Sequence, residues 1–333
     1  MHNVLITGGA GYIGSHVALE FLNAGYGVAV LDNFSNSDAK TVETLSELSG
    51  KVVDLHQIDI RDQAALNTLF QSHKFEGVIH CAGLKAVGES VELPLKYYDN
   101  NVTGTLCLLR AMGKANVTNI VFSSSATIYG KPQYLPMDES HPQSPINPYG
   151  NTKLMVEWIL QDLENGGGAM RSAILRYFNP AGAHKSGRLG ERPKGTPANL
   201  VPFISQVASG QREALNVWGN DYDTADGTGV RDYIHILDLA NAHLKAFQHI
   251  TAKDVSVLLN IGTGLGYSVL DVVKAFEAAS GKTLAVNMSA RRPGDVATYL
   301  AKVDLAQEVI GWKAKYGLKD MCEDQWRWER SDV

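Results

Sequence analysis

The stretch that most restricts this chain lies near its start. Val4-Leu5-Ile6 is a short apolar run of the kind that fills a buried strand, and it leads directly into Thr7-Gly8-Gly9-Ala10-Gly11-Tyr12-Ile13-Gly14. A helical pattern follows through Leu22, with Gly25 as its stop. Val28-Ala29-Val30-Leu31 then reads as a second strand that ends at Asp32. Glycine permits the tight turn and lets backbone N–H groups approach an anion, and the following helix N-terminus adds a favourable dipole. The glycines read as Gly8-x-x-Gly11-x-x-Gly14 or as Gly9-x-Gly11-x-x-Gly14. A glycine pattern alone is a weak signal. Strand, glycine loop, helix, strand and a closing acid together are the order a dinucleotide site needs. Asp32 can accept both ribose hydroxyls of the adenosine half. Its charge repels a 2′-phosphate, so NAD is expected rather than NADP.

The β–α rhythm continues. Strands are expected over 52–57, 77–80, 120–123 and 173–177. Asp62 is placed to cap a helix carrying Leu66, Leu69 and Phe70, and 102–112 reads as another helix. Alternation of this kind argues for an α/β fold, a doubly wound parallel sheet of the Rossmann type, with ligands beyond the strand C-termini. The second half is less regular. Residues 179–197, rich in Gly, Pro and charge, read as a long functional loop. Helices are expected over 200–209, 237–250 and 319–330, and one between a Ser268 cap and Gly281. Strands are expected over 214–218, 232–234 and 257–261. The expected division is an NAD-binding domain over 1–178 and a smaller mixed α/β substrate domain over 179–333, partly interleaved around 230–262.

A formal charge of -5 and the lack of any Lys/Arg run argue against a nucleic-acid partner. No segment approaches the ~20 apolar residues of a membrane span. Cys81, Cys107 and Cys322 are odd in number and widely spaced, which suits neither a disulfide framework nor a zinc site. They read as reduced thiols. Together with an N-terminus lacking a basic flank and a signal-like apolar stretch, they lead to an expected cytoplasmic location. No metal-ligand set is expected.

Pro148-Tyr149-Gly150-Asn151-Thr152-Lys153 opens the apolar-periodic run Leu154, Met155, Trp158, Ile159, Leu163. Residues four apart on a helix share a face, so Tyr149 and Lys153 point the same way. A free phenol titrates near ~10 and is a poor base at neutral pH. A nearby ammonium favours the phenolate, which makes the phenol a usable proton acceptor. Tyr and Lys at this spacing are common on helix surfaces; the rest of the chain gives the pair its meaning.

With the glycine motif, Ser125 and Tyr-x-x-x-Lys in place, the chain resembles the extended short-chain dehydrogenase/reductase superfamily. Five further stretches narrow the resemblance to the UDP-glucose 4-epimerase family: Gly83-Leu84-Lys85-Ala86-Val87-Gly88-Glu89-Ser90, Tyr97-Tyr98-Asp99-Asn100-Asn101, Ser123-Ser124-Ser125-Ala126-Thr127, Arg176-Tyr177-Phe178-Asn179-Pro180 and Gly229-Val230-Arg231-Asp232-Tyr233-Ile234-His235. The matching motifs run from Gly8 to Asp295. The resemblance implies reversible inversion at C4 of UDP-glucose and UDP-galactose through a transient 4-keto sugar, with the hydride held on retained NAD. It also implies a homodimer paired through the helices around 102–112 and 149–163.

By that resemblance Tyr149 is the acid–base, Ser125 hydrogen-bonds the reacting oxygen, and Lys153 tunes the phenol and holds the nicotinamide ribose. Gly8, Gly11, Tyr12, Ile13 and Gly14 take the pyrophosphate, Asp32 and Asn33 the adenosine ribose, and Asp59 and Ile60 the adenine. Ala82, Gly83, Lys85, Asn100 and Tyr177 complete the NAD site with Tyr149 and Lys153. The expected sugar-nucleotide contacts are Lys85, Ser125, Ala126, Thr127, Tyr149, Phe178, Asn179, Asn199, Leu200, Asn216, Arg231, Arg292 and Asp295. Tyr299 is expected to border the sugar's 2-substituent and to exclude an N-acetyl group. Two other activities share the fold. A nucleotide-sugar 4,6-dehydratase carries an Asp-Glu pair after the fifth-strand Ser/Thr, where this chain has Ala126 and Thr127. A non-catalytic NAD-sensing protein often loses the Tyr or Lys, and this chain keeps both.

Overall fold

The computed structural model describes residues 3–292 and 294–331. The chain divides into two compact units. The first takes the residues up to Gly130, Gln143–Arg176 and Ala240–Leu259; the second takes Lys131–Pro142, Tyr177–Leu239 and the residues from Asn260 onward. The chain therefore crosses over at Tyr177 and makes an additional short excursion over 131–142.

The frame of the first unit is a seven-stranded sheet. Its order from one edge is Val257–Ile261, Arg171–Tyr177, Asn119–Ser125, Gly77–His80, Asn3–Thr7, Gly27–Asp32 and Asp54–Gln57. The ladders flanking Asn3–Thr7, and the next one out on either side, are parallel. The central strands Asn3–Thr7 and Gly27–Asp32 carry nearly continuous apolar runs because both sheet faces are covered there. Side chains alternate across the sheet. Leu5, Leu31, Val78, Ile120 and Phe122 join a cluster with Leu66, Phe70, Leu108, Met112, Val156 and Leu160, supplied by the helices Gln63–Ser72, Gly104–Lys114 and Pro148–Asn165. Val4 and Ile6, on the opposite face, are fully buried too. There Phe21 of helix Tyr12–Asn23 meets Phe247 of helix Ile236–Lys253 at 5.5 Å, and Asn241 donates to Glu20 at 2.7 Å. Asp62 caps its helix as expected, accepting from the Ala64 and Ala65 amides.

The second unit has its own core of Ile204, Val217, Tyr233, Phe276 and Met321. Strand Val230–His235 is its axis. It pairs with Asn179–Ala181 and Thr298–Tyr299 in parallel and with Gly266–Ser268 antiparallel. Buried Asp232 pins the loop after Ile261, accepting from the Thr263 amide and hydroxyl and the Gly264 amide at 2.7–2.9 Å. Ser268 and Asp271 form a capping box at the start of helix Val269–Ser280, which ends at left-handed Gly281.

Some elements differ from expectation. The strand expected from residue 52 begins at Asp54, and Val52 is almost fully exposed. The expected loop after Phe178 begins as strand Asn179–Ala181, because Val230–His235 offers it an edge. A π-helical turn, Tyr98–Thr103, precedes helix Gly104–Lys114. Helix Lys40–Ser49 was not expected, although Val42, Leu45 and left-handed Gly50 mark its buried stripe and its end.

Candidate active site

The glycine loop joins strand Asn3–Thr7 to helix Tyr12–Asn23. Gly8 has φ +66°, and a Cβ there would meet the Ala82 backbone at 2.8 Å. A Cβ on Gly14 would lie 2.2 Å from the Gly8 carbonyl oxygen. These two glycines close the turn on itself and on the neighbouring strand's exit. Gly11 has an ordinary extended backbone, and its added Cβ would touch only the Gly8 oxygen, at 3.2 Å. The residue is thus not required by its own packing, which fits a position kept bare for a ligand. The first amides of helix Tyr12–Asn23, from Tyr12 onward, begin the turn in which helical N–H groups lack intrahelical partners.

Asp32 ends the adjacent strand and is mostly buried. Its carboxylate already accepts from the Ala10 amide at 3.0 Å, the Phe34 amide at 2.9 Å and the Ser37 hydroxyl at 2.7 Å. A carboxylate offers about four acceptor sites. Only about one remains for a ribose diol, unless the Ser37 hydroxyl, the one rotatable donor of the three, turns away. Asn33 donates to Asp59 at 3.0 Å, and this joins the ends of the two neighbouring strands. The Arg61 guanidinium holds Asp59 far below the usual carboxylate range. Ile60 is buried against Gly104. The geometry therefore fits a dinucleotide: a bare glycine turn, a helix N-terminus and an acid at the next strand end.

Strand Gly77–His80 leads to Ala82, Gly83 and Lys85. The Ala82 amide donates to Thr7 at 3.3 Å. Lys85 Nζ lies 5.9 Å over the Tyr12 ring. Buried Asn101, inside the π-helical turn, exchanges hydrogen bonds with the Leu84 amide and carbonyl and reaches Thr152 at 3.1 Å. Asn100, expected in the cofactor site, donates to Asn101 at 3.0 Å. Asn101 is a positioning residue that the sequence reading passed over. Its signal was its place in Tyr97-Tyr98-Asp99-Asn100-Asn101.

Asn147 caps helix Pro148–Asn165 and Pro148 occupies its first turn, which fixes Tyr149 one residue inside. Tyr149 is buried close to Ser125, the last residue of strand Asn119–Ser125, whose hydroxyl favours the phenolate. Ser125 also accepts from the Thr127 hydroxyl at 3.0 Å. Lys153 Nζ donates to the Ser123 carbonyl at 2.7 Å, and lies 4.8 Å over Phe122 and 5.9 Å from the Tyr149 ring centroid. The shared helix face thus brings Tyr, Lys and Ser together.

The electrostatics run against expectation. Burial pushes the Tyr149 phenol up to about 12, and the Ser125 hydrogen bond only partly opposes it. Burial also draws the Lys153 ammonium down to about 8, although Cys81 and Glu157 pull the other way. Desolvation is the largest influence on the buried phenol, so the expected fall of its pKa is corrected to a rise.

The residues expected at the sugar nucleotide lie mostly in the second unit. Strand pairing sets Tyr299 opposite Arg231, and the Phe178 and Tyr299 rings are 5.8 Å apart. Asn179 pairs with Tyr233. Arg231 donates to the Val230 carbonyl at 2.8 Å. On strand Leu215–Trp218 the exposed side holds Asn216 and Trp218, and Arg292 lies 5.9 Å over the Trp218 ring while it pairs with Asp295 at 3.1 Å. Asn199 precedes Leu200 at the start of helix Leu200–Ala208 and donates to Glu191 at 3.3 Å. In the first unit, Ala126 and Thr127 open the 3-10 turn after Ser125.

The family described as GDP-mannose 4,6 dehydratase matches residues 5–325. The UDP-glucose 4-epimerase of Bacillus subtilis (strain 168) is 53% identical over 99% of this chain and 97% of its own length. The human UDP-glucose 4-epimerase is 54% identical over 99% and 97%. The crystal structure of the Stenotrophomonas maltophila UDP-glucose 4-epimerase, with bound NAD and formylated UDP-arabinopyranose, aligns with a TM-score of 0.98 at 47% identity, over 100% of this chain and 99% of that one. The Bifidobacterium longum enzyme, in complex with NAD+ and UDP, gives 0.95 at 47%, over 99% and 98%. Fold and relatives agree over nearly the whole length, and the chain belongs to the UDP-glucose 4-epimerase family.

Proposed function

We propose that this chain interconverts UDP-glucose and UDP-galactose by inverting the sugar C4 through a transient 4-keto sugar. The observation that carries the reading is a buried tyrosine close to Ser125, with Lys153 Nζ 5.9 Å from its ring, beside a strand exit held for a dinucleotide. Bound NAD supplies reversible storage of the hydride lost from C4 and, while oxidised, a positive charge that favours a phenolate.

Tyr149 takes the proton from the 4-hydroxyl and later returns it to the same oxygen, once the hydride has been restored to the opposite face of C4. Ser125 hydrogen-bonds the reacting oxygen and relays that proton. Lys153 supplies positive charge to the phenol and anchors the nicotinamide ribose. Lys85, Ala126 and Thr127 contact the sugar. Between the two proton transfers the keto sugar must turn over while its nucleotide stays held. Phe178, Asn179, Asn199, Leu200, Asn216, Arg231, Arg292 and Asp295 serve as that anchor, with the guanidinium groups on the diphosphate. The first unit is the cofactor domain and the second the sugar-nucleotide domain. Dehydration would need an additional acid and base where Ala126 and Thr127 stand, and neither side chain can serve.

Tyr299 is assigned to the sugar's 2-substituent, so UDP-glucose and UDP-galactose are preferred over their N-acetyl forms; equal turnover of UDP-N-acetylglucosamine would refute that. A homodimer is supported by the outward faces of Met155, Trp158 and Leu163 on helix Pro148–Asn165, and of Val91 and Leu95 on short helices that touch it. Helix Gly104–Lys114 turns its apolar stripe into the core, so its share of the pairing is smaller. A cytoplasmic location agrees with three free cysteines, and among the described residues no helix is long and apolar enough to cross a membrane. The deciding assay measures conversion of UDP-galactose to UDP-glucose by the purified protein. Tyr149→Phe should lose ~10²–10⁴ in rate, and near-native turnover by that variant would end the proposal.

A further inference from the structure

The edge strand Asp54–Gln57 carries a cluster that the cofactor and sugar residues do not use. Asp54 and His56 are two apart and leave the same face of the strand. His73 is the C-cap of helix Gln63–Ser72. The Nε2 atoms of His56 and His73 both face Asp54 Oδ2, at 2.9 and 3.1 Å. The three ligand atoms lie within 4.8 Å of one another.

His73 is oriented from behind. Its Nδ1 is 3.2 Å from the Leu69 carbonyl oxygen, and its ring stacks on Phe75 at 5.7 Å with the planes 6° apart. Nδ1 has a possible donor in the Ser72 hydroxyl at 2.9 Å as well as the Leu69 acceptor, so the neutral ring's single proton suits either nitrogen. On Nδ1 it leaves the Nε2 lone pair facing Asp54; on Nε2 it is donated to Asp54, and a metal takes that proton's place. A ring N–H given to a carbonyl is also how metal-binding histidines are held in place. A cation set among the three atoms takes the place of any ring proton between them and accepts one lone pair from each. Two imidazole nitrogens and one carboxylate oxygen suit Zn²⁺, Ni²⁺ or Cu²⁺ far better than Mg²⁺ or Ca²⁺.

We propose that Asp54, His56 and His73 form a three-ligand site for a divalent transition metal, with water completing the coordination. The metal ties the sheet's edge strand to the end of the helix that follows it. Ligand bonds of ~2.0–2.2 Å draw the three atoms closer together. The Asp54 side chain, 51% exposed, has the room to move. Because the three residues meet only in the folded chain, metal binding raises stability by mass action.

The test uses full-length protein freed of metal by a chelator. It is titrated with ZnCl₂ by calorimetry and with CoCl₂ by visible absorption, both in excess Mg²⁺. One Mg²⁺-insensitive equivalent per chain is expected, together with a higher thermal midpoint in Zn²⁺. The chain has 10 histidines, so substitutions must assign the site. His56→Ala and His73→Ala should each weaken binding by at least ~10-fold. Asp54→Asn gives the same reading should His73→Ala fail to fold. Absence of saturable binding, or binding unmoved by these substitutions, would make the cluster an ion pair only and overturn the proposal.

Discussion

Glu157 and Arg176 offer the sharpest test of how the site is held. Arg176 is fully buried and Glu157 nearly so; Arg176 Nη2 donates to Glu157 Oε2 at 2.7 Å and Nε bridges both carboxylate oxygens at 3.2 Å. Ser124, next to Ser125, donates to Glu157 as well, and Arg176 reaches the Tyr129 hydroxyl at 3.1 Å. Glu157 lies one helical turn beyond Lys153. Replacing Glu157 with Leu takes the carboxylate away from a guanidinium held in the core. Breaking a buried pair from one side costs ~3–5 kcal/mol. Unfolding entropy of ~2.1 cal/mol/K per residue converts that, for a chain of 333 residues, into a fall of about 4–7 °C in Tm. Arg176→Met should cost a similar amount. The double variant Glu157→Leu/Arg176→Met should be far better than the sum of the two, because no uncompensated charge remains. Calorimetric or denaturant unfolding of the four proteins, with and without NAD, closes the cycle. Singles that cost less than ~1 kcal/mol, or a double variant equal to their sum, would refute the claim that the pair acts as a unit.

Lys153→Met should abolish turnover yet stabilise the NAD-free protein at pH 7. The fall of the ammonium from 10.5 to about 8 corresponds to roughly 3 kcal/mol, less about 1 for the lost bond to Ser123. The sign follows from proton counts: between about pH 8 and 10.5 the folded chain binds fewer protons than the unfolded one, so native stability rises with pH there. The variant's advantage is therefore full below pH 8 and gone above 10.5, and denaturant midpoints at pH 7 and pH 10.5 check it; a pH-independent difference would contradict it. Gly14→Ala must displace the Gly8 backbone, given the 2.2 Å approach, and should lose NAD at least ~10-fold; unchanged NAD retention by dialysis and absorbance would show that the turn has slack.

What could be read from sequence was whatever local geometry encodes by itself. Gly8 to Gly14 with Asp32, Tyr149 with Lys153 on one helix face, and Ser268 with Gly281 at two helix ends each announce a conformation within a few residues. The strands Gly266–Ser268, Val286–Ser289 and Thr298–Tyr299 were invisible, because 2–4 residues carry no period and their partners lie far away in sequence. The meeting of Asp54, His56 and His73 is hidden for the same reason: His73 comes from a different element than Asp54 and His56. The phenol's pKa was misjudged because spacing reports the neighbouring charge, whereas the missing water is a property of the closed fold.

The edge strand Val257–Ile261 belongs to a sheet whose first strand is Asn3–Thr7, and helix Ile236–Lys253 packs against helix Tyr12–Asn23 beside it. A ribosome must therefore synthesise most of the protein before the first unit owns all its parts. Until then Phe21 and its neighbours have no Phe247 to cover them. Neither domain exists as an uninterrupted stretch of gene. Truncating the chain after Arg176 would leave a sheet without its outer strand and one face partly bare, prone to aggregate rather than to bind NAD.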